Sequence, residues 1–287
     1  MKISTEIYSA ACHVGEQKAV ELIAKAGFDG WDFSMFEMCR YDWGTGKPIE
    51  TGHPTAGSDY IKFARELKKI GLENGIVCNQ SHAPFPSLAP KIRDYLKRAI
   101  ECTAEAGGQI CIIHPDNNSS AEKNAEFYSE LLPFAKSCGV KIATENMWNW
   151  ENGASHASPA ACSHHRDFCR HVDLVNDEYL VACLDIGHAE MAGLDTTAPT
   201  MIKELGKRLQ ALHIHDNDKL HDSHQIPFSM DIDWTGVAKA LKEIDYQGYL
   251  TLEADRYLSA YNKENVFEGI CQLAKSARRL ERLIKEA

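Results

Sequence analysis

LQALHIHDNDKLHDSH, residues 209–224, opens as an apolar strand and ends as a dense polar loop. Four of the chain's thirteen histidines lie in it (His213, His215, His221 and His224), with Asp216, Asp218 and Asp222 between them. Neutral imidazole and carboxylate are the side chains that hold catalytic zinc, manganese or iron. Taken alone, the stretch reads equally as a polar turn carrying exposed histidines. The rest of the chain decides between the two, because other strand ends finish in the same chemistry.

Outward from this stretch, strand-like and helix-like segments alternate. Short apolar runs at 2–9, 29–35, 76–82, 109–114, 141–146, 179–186, 209–215 and 249–253 read as strands buried on both faces. Helical patterns fill 15–27, 58–74, 90–106, 121–138, 159–175, 199–208, 234–245 and 265–285. Gly27 ends the first helix. Ser58 is placed to cap the second, with Leu67, Ile70 and Leu72 turned toward the core. These βα units follow one another without a linker or a break in composition. They predict an α/β fold, a (β/α)8 TIM barrel forming a single domain over residues 1–287. A doubly wound open sheet is the alternative. It would want a glycine-rich first turn, and neither GxGxxG nor GxxxxGK[ST] occurs. The polar loop 36–57, with Trp43, Gly44, Gly46, Pro48 and Pro54, has the length of a functional lid.

A (β/α)8 barrel builds its active site at the carboxyl ends of its strands. Read in order, those ends carry His82, His114, Glu145, Asp185 with His188, His213 with Asp222 and His224 in its loop, and Glu253. Each alone has an ordinary alternative, a turn-shaping histidine or a salt-bridge carboxylate. Six successive strands delivering a metal-competent side chain to one rim make a coherent set. His13, His53, His156, His164, His165 and His171 fall in loops or helices and read as solvated; His53 and His156 lie in loops that could close over the rim.

Composition excludes several classes. Hydrophobic residues make up 44% of the 287 and charged residues 25%, enough for a sizeable core. A net charge of −10 argues against a nucleic-acid or anionic-membrane partner. No run approaches the ~18–20 apolar residues of a membrane span, and no leader pattern precedes the first strand. Ten cysteines without a CxxC, several inside apolar patterns, fit a reduced, cytoplasmic chain.

The runs IATEN (142–146), CLDIGHAEMAG (183–193), HIHDND with DSH behind it (213–224) and TLEAD (251–255) resemble the xylose isomerase-like barrels. That superfamily includes sugar phosphate isomerases/epimerases, ketose 3-epimerases, inosose dehydratases and endonuclease IV. The resemblance spans nearly the whole chain. It implies a divalent metal ion (Mn, Zn, Co, Mg or Fe) and a small carbohydrate substrate. In the ketose 3-epimerase pattern one ion is held by residues matching Glu145, Asp185, His213 and Glu253. That pattern also implies substrate contacts from Trp150, Glu151 and His188, and from a basic residue at Lys219, where the family has Arg. Lys lacks the bidentate fork of Arg. The endonuclease IV-like pattern uses three zinc ions and more ligands, matching His82, His114, Glu145, Asp185, His188, His213, Asp222, His224 and Glu253.

The first pattern implies isomerisation or epimerisation of a sugar or sugar phosphate through a metal-stabilised enediolate, with Glu145 and Glu253 as acid and base. The second implies phosphodiester hydrolysis. Loss of water from a cyclitol ketone, as in inosose dehydratases, begins with the same proton abstraction. Trp31, Trp148, Trp150 and Phe85 are candidates for an apolar wall against the sugar, Trp31 being better suited to the core. The outer helices and the 36–57 loop are surfaces on which a homo-oligomer could form.

Overall fold

A computed structural model describes residues 1–150 and 155–287. Eight parallel strands form the barrel: β1 Lys2–Glu6, β2 Gly30–Ser34, β3 Val77–His82, β4 Ile110–Ile112, β5 Lys141–Glu145, β6 Leu180–Asp185, β7 Leu209–His213 and β8 Tyr249–Leu252. Neighbours in sequence are neighbours in the sheet, and β1 pairs with β8. A parallel bridge between Ile214 and Leu252 closes the ring. Around it stand α1 Glu16–Ala26, α2 Tyr60–Glu73, α3 Ile92–Ala106, α4 Ala121–Ser137, α5 His165–Val175, α6 Ala198–Leu205, α7 Trp234–Glu243 and α8 Val266–Glu286. The TIM barrel expected from the alternating pattern is what the chain forms.

The strands read as continuous apolar runs because both faces are covered. Outside, Ile3, Trp31, Leu67, Leu96, Ile100 and Leu280 belong to one continuous core between barrel and helices. Inside, the smaller Ile112, Ala143, Val181, Cys183 and Ala211 pack together. Part of the interior is polar. Ser4 Oγ donates to Thr251 Oγ1 (2.8 Å), Thr251 Oγ1 to Gln80 Oε1 (3.1 Å), and Gln80 Nε2 to Asp32 Oδ2 (2.9 Å). This chain of hydrogen bonds holds Asp32 beneath the carboxyl end of the barrel. No helix among the described residues is long and apolar enough to cross a membrane.

Several local expectations need correcting. The first strand stops at Glu6, and Tyr8–Val14 is a short helix, its first turn held by Ser9 N donating to Glu6 Oε2 (3.0 Å). α2 starts after Asp59 and has no side-chain cap, so Ser58 does not cap it. Leu67 is buried, but Leu72 is 57% exposed. Gly71 takes the inward place, where a Cβ would meet the Trp31 ring at 2.9 Å. The 36–57 loop contains an antiparallel hairpin, Arg40–Asp42 with Lys47–Ile49. Asn149–Trp150 pairs with Ala157–Ser158, so the helix expected from 159 begins at His165.

Candidate metal centre and cavity

Parallel register sets the floor of the site. Asp185 lies opposite His213, and Cys183 opposite Glu145, so the ends of β5, β6 and β7 stand side by side. Glu253 follows β8, its N–H donating to Ile214 O (3.0 Å) across the closing bridge. The ligand atoms of Glu145, Asp185, His213 and Glu253 all lie within 4.8 Å of one another, every one buried. His213 Nδ1 is 3.1 Å from Glu145 Oε1 and 3.3 Å from Glu253 Oε2, and its Nε2 is 3.3 Å from Asp32 Oδ2.

This donor set fits a divalent cation. Glu145 Oε2 and Asp185 Oδ2 are buried and have no hydrogen-bond partner. Buried carboxylate oxygens without donors are costly, and a cation satisfies them. Asp185 is also held in place. Its N–H donates to Asn146 Oδ1 (2.8 Å), and its Oδ1 accepts from His188 N (2.7 Å), capping the short helix Ile186–Ala189.

A second group sits beside the first: His188, His215, Asp222 and His224, again with ligand atoms within 4.8 Å. His215 Nε2 is 3.1 Å from Asp185 Oδ1 and 3.6 Å from Asp222 Oδ1. Asp222 Oδ2 is 3.4 Å from His188 Nε2 and 3.2 Å from His224 Nε2. His215 Nε2 and Asp222 Oδ1 have no hydrogen-bond partner. A third group joins His82, His114 and Glu145, with His114 Nε2 3.3 Å from Glu145 Oε2. Three of the histidines are oriented alike. His82 Nδ1 lies 2.8 Å from Ala83 O, His188 Nδ1 2.9 Å from Asn146 O, and His224 Nδ1 2.7 Å from Glu253 O. With Nδ1–H donated to a carbonyl, each ring turns its Nε2 toward the site.

Electrostatics separate the two glutamates. Burial alone would push Glu145 up, but the charge of His213 and the close approach of the His114 and His213 imidazoles hold it well below the usual carboxylate range. Glu253 is driven well above that range, first by burial, against the pull of His213 and with repulsion from Glu145 adding. Burial and then the His114 charge push His82 well below the ordinary imidazole value.

The structure brings Glu145, Asp185, His213, Glu253, His82, His114, His188, Asp222 and His224 together. It does not bring Lys219: its Nζ pairs with Glu190 Oε2 at 3.1 Å, and the side chain does not line the cavity. Trp150 is half exposed on its hairpin, edge-on to Trp148, and Trp148 is the one that lines the cavity. Glu151 lies outside the described residues. His53 pairs with Glu16 at 2.7 Å, and neither it nor His156 lines the cavity. His171 is buried, where a solvated histidine was expected.

His215 was passed over, although its signal was present. It follows His213 by two residues, so both side chains leave the strand on one face. Gly187 makes room for it, since a Cβ there would lie 1.9 Å from His215 Cε1. Asp255, 3.4 Å from His224 Nδ1, was also passed over and lines the cavity. The cavity above the floor has a volume of about 450 Å³, and Tyr8, Phe36, Tyr41, Trp43, Phe85 and Trp148 form most of its wall.

The described geometry meets known proteins at the level of the whole barrel. An uncharacterized protein of Methanocaldococcus jannaschii is 26% identical over 273 residues, covering 89% of this chain and 84% of that one. A crystal structure of D-psicose 3-epimerase in the presence of D-fructose superposes with a TM-score of 0.72 at 15% identity, over 98% of this chain and 99% of that one. The IolI protein with a bound zinc atom superposes with a TM-score of 0.71 at 16% identity, over 100% and 99%. The model of the xylose isomerase-like TIM barrel family matches residues 20–282, and the chain belongs to that family.

Proposed function

We propose that this protein is a divalent-metal-dependent isomerase or epimerase acting on a sugar or sugar phosphate beside its carbonyl. One observation carries the reading. Two buried carboxylates from separate strand ends, Glu145 and Glu253, converge with Asp185 and His213 on the floor of a cavity sized for a small molecule. Glu145, Asp185, His213 and Glu253 would hold the cation. When bound, it supplies Lewis-acid polarisation of the substrate carbonyl.

The protein's own groups do the rest. One glutamate takes the proton from the carbon beside the carbonyl, and a carboxyl returns a proton to complete the turnover. Return on the opposite face inverts that carbon and gives an epimer. Return at the neighbouring carbon gives aldose–ketose isomerisation. His188 and His224 present Nε2 to substrate hydroxyls, and His82 and His114 position Glu145. The fold likeness to D-psicose 3-epimerase supports this reading. Incubating the enzyme with a panel of ketoses in heavy water tests it: deuterium should appear at the carbon beside the carbonyl, and its absence from every sugar would reject it.

A second reading, hydrolysis of a phosphodiester by several metal ions, is favoured by the His188, His215, Asp222 and His224 group and by the His82, His114 and Glu145 group. The net charge of −10 stands against a nucleic-acid substrate. Removal of water from a cyclitol ketone shares the first proton transfer and is covered by the same heavy-water test.

A further inference from the structure

The floor of the cavity is ionisable, but its wall is aromatic. Phe36 meets Phe85 edge to face at 5.5 Å and Tyr8 at 5.2 Å. Phe85 stacks on the His114 ring at 4.9 Å. Tyr41, on the Arg40–Asp42 arm of the hairpin, and Trp43, in the turn after it, meet at 5.0 Å, and Trp148 faces the cavity from the loop after β5. These rings come from the loops after β1, β2, β3 and β5, so they surround the opening and do not form one flat wall. Phe85 is 36% exposed and Trp43 72%, apolar surface left open to solvent at the mouth. One sugar ring offers limited C–H surface, and among the described residues hydroxyls on its edges would meet few polar partners at this height. A volume of about 450 Å³ also falls within the ~300–1,000 Å³ of pockets that take drug-sized ligands.

Charge separates the occupants. Arg40 is the one lysine or arginine among the described residues lining the cavity. Its side chain is 54% exposed and already lies 3.2 Å from Glu37. Glu145, Glu253, Asp222 and Asp255 line the same space. A phosphate dianion wants a bidentate arginine or an array of N–H donors, and here it would meet carboxylates.

Resting on the isomerase or epimerase reading, we infer that the substrate is an unphosphorylated sugar carrying an apolar, planar substituent away from its carbonyl, as in an aryl glycoside that keeps a ketone at another ring carbon. The reacting carbons lie over Glu145 and Glu253, and the substituent lies between Phe36, Phe85 and Trp148, with Tyr41 and Trp43 at the opening.

Equilibrium binding tests this without turnover. A set of hexoses, each offered free, as its phenyl glycoside and as its 6-phosphate, is titrated against the full-length protein by calorimetry. The tightest phenyl glycoside should bind about tenfold or more better than its parent sugar, and the phosphate no better than the parent. Phe85→Ala and Trp148→Ala should shrink that ratio to about threefold or less. Trp43→Ala, at a position 72% exposed to solvent and outside the core, should shrink it in the same direction. A 6-phosphate that binds best, phenyl glycosides that bind no better than parent sugars or not at all, or a ratio unchanged in all three variants would overturn the inference. The reading beneath it fails differently: a phenyl preference with no deuterium uptake from heavy water by free ketoses or by phenyl glycosides bearing a ring ketone would reject proton transfer and leave the substituent site standing.

Discussion

His82, His188 and His224 each direct Nδ1 at a main-chain carbonyl, so the backbone sets which nitrogen faces the cavity. The two glutamates they surround are poorly tolerated without a ligand, because both are buried and close to each other's charge. Glu145→Gln or Glu253→Gln should therefore lower turnover roughly 10²–10⁴-fold. The metal-free Glu253→Gln protein should melt no lower than wild type, because a buried carboxyl that resists ionisation has been removed. Steady-state kinetics and calorimetry check both. A different residue sets a pH dependence. Burial would lower His171, but Asp167, at 3.4 Å, and Cys162 outweigh it and raise the imidazole from 6.5 to about 10. The folded value lies above the unfolded one, so the stabilisation is full below about pH 6.5 and fades as pH rises toward about 10. The gap in Tm between wild type and His171→Gln should be wider near pH 6 than near pH 9.5. A constant gap would mean that the charge contributes nothing.

The element that matters most is the loop after β7, and one carboxylate organises it. Asp216 Oδ2 accepts from Ser229 N (3.0 Å), Met230 N (3.1 Å) and Trp234 Nε1 (3.0 Å). Its Oδ1 accepts from Asn217 N (3.0 Å) and Ile232 N (3.2 Å). The ladder to Gln225 then fixes the segment bearing Asp222 and His224. Asp216→Asn turns an amide N–H₂ toward these donors. It should cost about 2 kcal/mol or more in unfolding free energy and weaken sugar binding, because the segment that carries His224 is no longer held. Thermal melts and sugar titration report the two effects separately. This loop also shows why spacing is an incomplete guide. Lys219 sits at the distance along the chain expected of a substrate contact, yet the turn points it at Glu190. Asp222 and His224 fold back to the floor. His215 was missed because the end of β7 was taken at His213 and the further ligands were sought in the loop, although a period of two offers a second on the same face. Leu72 was placed in the core by apolar character alone, while the inward position went to a glycine that clears Trp31.

At the scale of the molecule, strand order and strand ends were legible because a parallel barrel buries each strand on both faces and leaves a short apolar run for every one. The floor followed, since register alone places the ends of β5, β6 and β7 side by side. The aromatic wall was only partly legible, because its rings come from loops after four strands and meet only once the barrel closes. Binding that favours the folded state stabilises it by mass action, about 2.7 kcal/mol at a hundredfold excess over Kd. Adding Mn²⁺ or Co²⁺ to chelator-treated protein should thus raise Tm by roughly 5 °C or more, and Asp185→Ala should blunt that rise.

The most direct measurement is elemental analysis of metal per chain on protein purified without chelator. The account predicts about one divalent ion per chain, removed by chelator together with deuterium exchange and restored with it on adding metal back. About three zinc ions per chain with phosphodiester cleavage would contradict the isomerase and epimerase reading, and a chain that binds no divalent metal would contradict the site itself.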